Sequence, residues 1–268
     1  MGGIPAVDLK AAVRTPAGQG PGLSPAGLAA RNREFYDALW SGTYLSEPDH
    51  FNTWPLISSL LPTSAQRLEV GPGLRPRLPL IGTHFLDSSS PAIERLNAGG
   101  GIAHRGEITA LPFAEGTFDL VAAFDVIEHV ANDRRVVAEL IRVLKTGGRL
   151  IFSVPLHPAH WTEFDDFVGH ARRYEPTALK ELIASHDLVV EKSAVFGMQP
   201  NNSRLLHYAV QGFTQHQTAA VRCYNWLLFP LGMLLQKRLI FAEGLMELSD
   251  IHEVLVVCRS AAGTGRAG

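Results

Sequence analysis

The sequence predicts an α/β fold in which a parallel sheet carries helices on both faces, and three observations predict it. Short runs rich in β-branched or apolar residues at 67–70, 83–86, 102–104, 118–124 and 149–154 alternate with helical patterns. Such alternation requires crossovers between parallel strands, which cover both sides of the sheet. The helix between the last two runs is well delimited. Asn132 or Asp133 can cap its start, Val136, Val137, Leu140, Ile141 and Leu144 form one apolar face, and Gly147 and Gly148 end it. A glycine turn, Gly71-Pro72-Gly73, directly follows the first run. Ligands in such sheets bind beyond the carboxyl ends of the strands, so the loops after each strand carry the residues of interest.

The remaining elements follow in order. Residues 25–40 and 50–61 predict two short helices with Phe35, Leu39, Trp40, Ile57 and Leu60 as apolar positions. Ser90 as cap and Pro91 in the first turn predict a helix that runs out at Gly99–Gly101. A helix over 176–185, a strand over 188–195, an apolar helical region over about 202–241 and a strand over 253–258 complete the pattern. The first 22 residues are rich in Gly, Ala and Pro, with Lys10 and Arg14 interspersed. They lack the apolar core of a secretory signal and read as a flexible tail. The organisation expected is a tail at 1–24, a helical cap at 25–62, one α/β domain at 63–260 with a helical insertion at 200–245, and a second tail at 261–268.

Composition excludes several classes. With 24 Lys plus Arg against 26 Asp plus Glu, the chain lacks the electrostatic footprint of a general nucleic-acid binder. A hydrophobic content of 46% excludes a disordered chain, and two cysteines exclude a disulfide scaffold. The cysteine usage fits a reducing compartment, so a cytoplasmic location is expected. The longest apolar stretch, 223–236, is too short to span a bilayer and is interrupted by Pro230. Docking of residues 226–235 on a membrane surface is the less favoured alternative.

Four strand-end motifs carry chemistry. Leu68-Glu69-Val70-Gly71-Pro72-Gly73 offers a close backbone approach with a carboxylate beside it that can receive a cationic amino group. Asp87, in Phe85-Leu86-Asp87-Ser88-Ser89, ends the second strand, where an acid can accept both hydroxyls of a ribose. Gly106-Glu107-Ile108-Thr109-Ala110-Leu111-Pro112-Phe113 follows the third strand and pairs a carboxylate for an exocyclic amine with an apolar neighbour for a ring. Phe118-Asp119-Leu120-Val121 runs into Phe124-Asp125-Val126-Ile127-Glu128-His129-Val130. Each alone is equally a turn, a cap or core; four in order after successive strands are specific.

On these segments, and on 144–155, residues 65–197 resemble the class I S-adenosylmethionine-dependent methyltransferases, particularly their small-molecule, ubiquinone-type branch. The resemblance implies a Rossmann-like, seven-stranded, mostly parallel sheet whose last strand, 253–258, is antiparallel. It implies S-adenosyl-L-methionine as cofactor, with Glu69, Gly71 and Gly73 along its methionine part. Asp87 and Ser88 would lie at its ribose, Glu107 and Ile108 at its adenine, and Phe124 with Asp125 would close the methionine side. Two departures stand out. Arg75 replaces the usual third glycine, and about a dozen residues, including Pro76 and Pro79, separate Gly73 from Asp87. A parallel crossover needs about that many, so the first crossover helix is expected to shrink to a turn.

Asp125, Glu128 and His129 have helical spacing suited to a shared divalent ion. The tripeptide Glu128-His129-Val130 is common in metal-free members of the family too, and no metal is assigned. A hydroxyl acceptor benefits from a general base, for which His129, His157 and His170 are the candidates, with His160 considered beside them. Asp165 or Asp166 can pair with Arg172 or Arg173 to brace the loop carrying His170. The resemblance implies that the insertion at 200–245 builds an acceptor pocket, and its aromatic and aliphatic surplus favours a small, fairly hydrophobic acceptor and an O-methylation. Tyr36, Trp40 and Tyr44 are candidates for a lid. The alternatives are a cofactor-binding scaffold or structural partner without methyl transfer, and a membrane-surface enzyme acting on a lipid or quinone.

Overall fold

The computed structural model describes residues 24–61, 66–197 and 203–260. The tails expected at 1–24 and 261–268 lie outside the described residues, apart from Ser24, as does the expected start of the helical region at residue 202. The strands are β1 (Arg67–Val70), β2 (Thr83–Asp87), β3 (Ile102–Arg105), β4 (Phe118–Phe124), β5 (Leu144–Pro155), β6 (Leu188–Val195), β7 (Phe241–Glu243) and β8 (Glu253–Ser260). They form one sheet in the order β3-β2-β1-β4-β5-β8-β6-β7. Neighbours among β1 to β5 are parallel, and β8 is inserted antiparallel between β5 and β6. The sheet is thus mostly parallel with an antiparallel last strand, and it carries an eighth strand that the sequence did not reveal. The apolar pattern places Phe241 at the end of the helical region, but the free edge of β6 recruits it into β7.

Both faces of the sheet are buried, which explains the unbroken apolar runs. Val121, Leu150 and Val256 point into one core with Leu68, Val70 and Leu140. Their neighbours Leu120, Ala122, Ile151, Leu255 and Val257 point into the other, with Ile57 and Leu78. Helices α1 (Pro25–Ser41) and α2 (Trp54–Leu60) precede the sheet, and α3 (Ser90–Ala98), α4 (Asp133–Arg142), α5 (Glu163–Val168) and α6 (Pro176–Ala184) connect its strands. The insertion consists of α7 (Ser203–Gln215), α8 (Gln217–Cys223), a π-helical turn (Tyr224–Leu228) and α9 (Phe229–Leu234).

Local chemistry explains the boundaries. Ser24 caps α1 by accepting from the Gly27 amide at 3.2 Å, and Asn132 caps α4 by accepting from Arg135 at 3.1 Å. Ser90 is the first residue of α3 and Ser89 takes the cap position. Helix α4 stops at Arg142, short of Gly147 and Gly148, because Leu144 already pairs with Phe118 as the first residue of β5. No helix joins β1 to β2. Leu78 from that connection and Ile57 from α2 cover the sheet face instead.

Candidate active site

The strand order turns back at β1 and β4, and a cavity of about 610 Å³ opens beyond the carboxyl ends of these strands. Glu69, Gly71, Asp87, Ser88, Glu107, Ile108, Phe124, Asp125 and His129 all line it. Gly71 has φ 68°, and a Cβ there would lie 2.7 Å from Val126, so the turn requires glycine on two counts. Gly73 lies beneath the indole of Trp40, which a Cβ would meet at 2.2 Å, and it does not line the cavity. Its amide donates to Asp87 Oδ2 at 2.9 Å, while the Ser89 amide donates to Oδ1 at 2.8 Å. Burial raises the Asp87 carboxyl above its ordinary value, opposed by these hydrogen bonds. Each of its oxygens retains a lone pair for a ligand hydroxyl.

Glu69 borders the cavity, but its oxygens accept from the Arg77 amide at 2.9 and 3.0 Å and from the Leu78 amide at 2.8 Å. It therefore shapes the loop that replaces the crossover helix. Burial pushes its carboxyl up to about 7. Asp125 has φ 52° and accepts from the Ser153 hydroxyl at 2.6 Å. Glu107 is exposed at the cavity mouth, where Arg33 of α1 donates to it at 2.8 Å.

Helix α1 closes the other side. Tyr36 and Trp40 line the cavity, their rings stacked with centroids 6.0 Å apart, whereas Tyr44 sits outside against Trp226 at 5.4 Å. The His129 Nδ1 lies 3.3 Å from the Gly169 carbonyl, and its Nε2 lies 3.3 Å from the Tyr36 hydroxyl. A carbonyl only accepts, so Nδ1 carries the proton and Nε2 offers a lone pair. Burial, and then the neighbouring His170, push this imidazole down to about 3, so it is neutral.

His170 stands behind His129, outside the cavity wall, with ring centroids 4.6 Å apart. Its Nδ1 donates to Asp165 at 2.8 Å, and Arg173 grips the same carboxylate at 2.8 and 2.9 Å. Burial alone would raise Asp165, but His170 and Arg173 outweigh it and hold the carboxyl at about 2. Glu128 is buried with both oxygens unpartnered, and burial, reinforced by Asp125, raises it well above its ordinary value. Donor atoms of Glu128, His129 and His170 lie within 4.8 Å of one another, so proximity groups His170, in place of Asp125, with the other two. His157 and His160 do not line the cavity. The His157 Nε2 donates to the Leu248 carbonyl at 2.8 Å, and His160 stacks on His252 at 4.2 Å.

Arg77 also lines the cavity and was not anticipated. It lies 3.7 Å from the Phe51 ring centroid, and its position between two prolines in the shortened connection was the available signal. Arg75, noted only as a lost glycine, lies 3.6 Å from the Phe229 ring centroid and donates to the Tyr224 hydroxyl and Asn225 Oδ1, both at 2.9 Å. It ties the glycine turn to the insertion, none of whose described residues lines this cavity.

Residues 78–152 match the family described as a methyltransferase domain. Over 90 residues the chain is 32% identical to a probable S-adenosylmethionine-dependent methyltransferase of Mycolicibacterium smegmatis, covering 32% of this chain and 34% of that protein. Over 53 residues it is 40% identical to a demethylmenaquinone methyltransferase of Renibacterium salmoninarum, covering 20% of this chain and 22% of that protein. Among solved structures it is similar to the [4+2]-cyclase SpnF, with a TM-score of 0.58 and 15% identity, covering 92% of this chain and 100% of that one; at this identity the likeness is one of fold. Residues 78–152 thus carry a methyltransferase-domain sequence, set in an α/β fold that the chain shares with SpnF. The chain spans about a third or less of the length of these two curated relatives.

Proposed function

We propose that this protein methylates a small, fairly hydrophobic acceptor at a hydroxyl, and that the acceptor is quinone-like or a comparable aromatic metabolite. The observation that carries this reading is a cavity joining strand-end carboxylates to a neutral imidazole whose unprotonated Nε2 lies 3.3 Å from the Tyr36 hydroxyl. S-adenosylmethionine fits the residues present: Gly71 leaves room for a close backbone approach, and Asp87 offers lone pairs for ribose hydroxyls beside Ser88. Glu107 and Ile108 would receive the adenine, and Gly71, Phe124 and Asp125 the methionine part, with Glu69 and Gly73 holding the loop in shape. When bound, the cofactor supplies a methyl group activated by its sulfonium.

The residues of this chain then align and deprotonate. Tyr36, Trp40 and Phe124 present apolar surface that orients the acceptor and excludes water. His129 takes the hydroxyl proton at Nε2, which its donation to Gly169 leaves unprotonated, with the acceptor hydroxyl taking the place of the Tyr36 hydroxyl there. His170, held by Asp165, acts as a positioning residue behind it, and His157 has no part. The relative whose name specifies demethylmenaquinone supports a quinone-like acceptor.

Incubation with methyl-labelled cofactor and a fractionated metabolite extract tests the proposal. Label is expected in an apolar fraction and in an alkali-stable methyl ether. Tight cofactor binding with no label transferred to any fraction would instead favour a scaffold without transfer.

A further inference from the structure

The insertion has two unlike faces. Its inner face is engaged: Tyr224, Asn225 and Phe229 hold Arg75 against the cavity wall. Its outer face places Trp226, Leu227, Leu231, Leu234, Leu235 and Ile240 in solvent, with Leu234 84%, Ile240 83% and Leu235 70% exposed. Leu227, Leu231 and Leu234 follow helical i, i+4, i+7 spacing and form one stripe. Isolated exposed leucines are ordinary, but a contiguous row marks a contact surface.

Charge identifies what it contacts. Between residues 192 and 242 the sequence has no Asp or Glu, although the whole chain carries slightly more acid than base. The same stretch holds Lys192, Arg204, Arg222, Lys237 and Arg238. Arg222, Lys237 and Arg238 are exposed, and none of the three is in an ion pair among the described residues. They flank the apolar row at both ends. A helical segment with an apolar stripe, a tryptophan and a basic rim suits the boundary between acyl chains and anionic headgroups. The continuous helical path from Tyr224 to Leu234 is about 16 Å long, enough to lie in that plane, and no helix among the described residues is long and apolar enough to cross a membrane. A second copy of the chain fits less well, because a two-fold contact would bring the two basic rims together.

We propose that the outer face of residues 226–240 docks this protein on an anionic lipid bilayer. Because the inner face of the same segment holds Arg75, which lines the cavity, docking brings the cavity beside the bilayer, where a lipophilic acceptor would reside. Only that last consequence rests on the proposed acceptor; the docking itself does not.

Co-sedimentation of the full chain with vesicles tests this. Vesicles of phosphatidylcholine with about 30% phosphatidylglycerol should pellet the protein, and phosphatidylcholine alone should pellet much less. Raising the salt to about 0.5 M should release it, as screening predicts. Leu234→Ser with Leu235→Ser, and separately Lys237→Glu with Arg238→Glu, should each weaken binding on the order of tenfold or more. These positions are exposed, so both variants should retain S-adenosylhomocysteine binding by calorimetry, which verifies folding. The proposal fails if the wild-type chain stays in the supernatant, or if the serine variant binds as wild type. It also fails if gel filtration shows a dimer that the serine variant abolishes, which would assign the face to a second copy. Vesicle binding without cofactor binding would overturn the proposed function and leave the docking intact.

Discussion

At one end of the cavity, Asp87, Ser88, Glu107 and Ile108 directly follow β2 and β3. At the other, Tyr36 and Trp40 come from α1, Arg75 and Arg77 from an irregular connection, and His129 from beyond β4, with Arg75 braced by the insertion. The first end is built by strand register: once β1, β2 and β4 pair, their carboxyl ends have one place to go. The second depends on packing between segments far apart in sequence, such as Arg75 on Phe229 and Tyr36 on His129. Binding of a common cofactor can therefore be fixed by local motifs, while recognition of a particular acceptor is free to vary with the segments that pack over it.

The largest effect expected separates the two ends. His129→Gln should lower the methylation rate by about 10²- to 10⁴-fold, the usual contribution of a general base, while changing cofactor affinity little. Single-turnover kinetics beside calorimetry would show the split; equal losses in both would place His129 at the cofactor. Asp87→Ala should do the reverse, weakening S-adenosylhomocysteine binding by roughly 100-fold, because it removes a buried carboxylate and orphans the Gly73 and Ser89 amides. Gly73→Ala probes the junction of the two ends. Its φ of 55° and the Trp40 indole at 2.2 Å should cost about 2–3 kcal/mol of stability in a urea titration.

Acidity gives a subtler contrast. His129 is held down at about 3 against an ordinary 6.5, so between these values the unfolded chain binds a proton that the folded one refuses. Through this group stability falls as pH drops below about 6.5, by at most about 1.4 kcal/mol per pH unit. Glu69, pushed up to about 7 from 4.5, acts oppositely: its contribution is full below about 4.5 and is lost as pH rises through 7. Urea midpoints of His129→Gln between pH 4 and 6.5 should accordingly fall less steeply with acid than those of the wild type. The smallest effect belongs to Arg33→Ala. It removes an exposed ion pair with Glu107, worth about 0.2–1 kcal/mol, so cofactor affinity should drop only a few-fold and the difference should vanish in high salt.

The sequence by itself determined the alternation of strands and helices, the glycine turn, the strand-end acids and the loss of the first crossover helix. All of these rest on local periodicity, capping and chain length, which neighbouring residues encode. Some details near element ends were beyond it: Leu144 reads equally as the last position of an apolar helix face and as the first residue of β5, and pairing with Phe118 decides. Strand β7 exists only because β6 offers an edge. The tertiary structure alone decided that His129 faces the cavity with His170 behind it while His157 turns to Leu248, since three loop histidines look alike until packing orients them. It also decided that Glu69 spends its oxygens on the Arg77 and Leu78 amides, and that Arg75 bridges to the insertion. These contacts join residues up to 150 positions apart, and a carboxylate or guanidinium takes whichever partner the fold brings within reach.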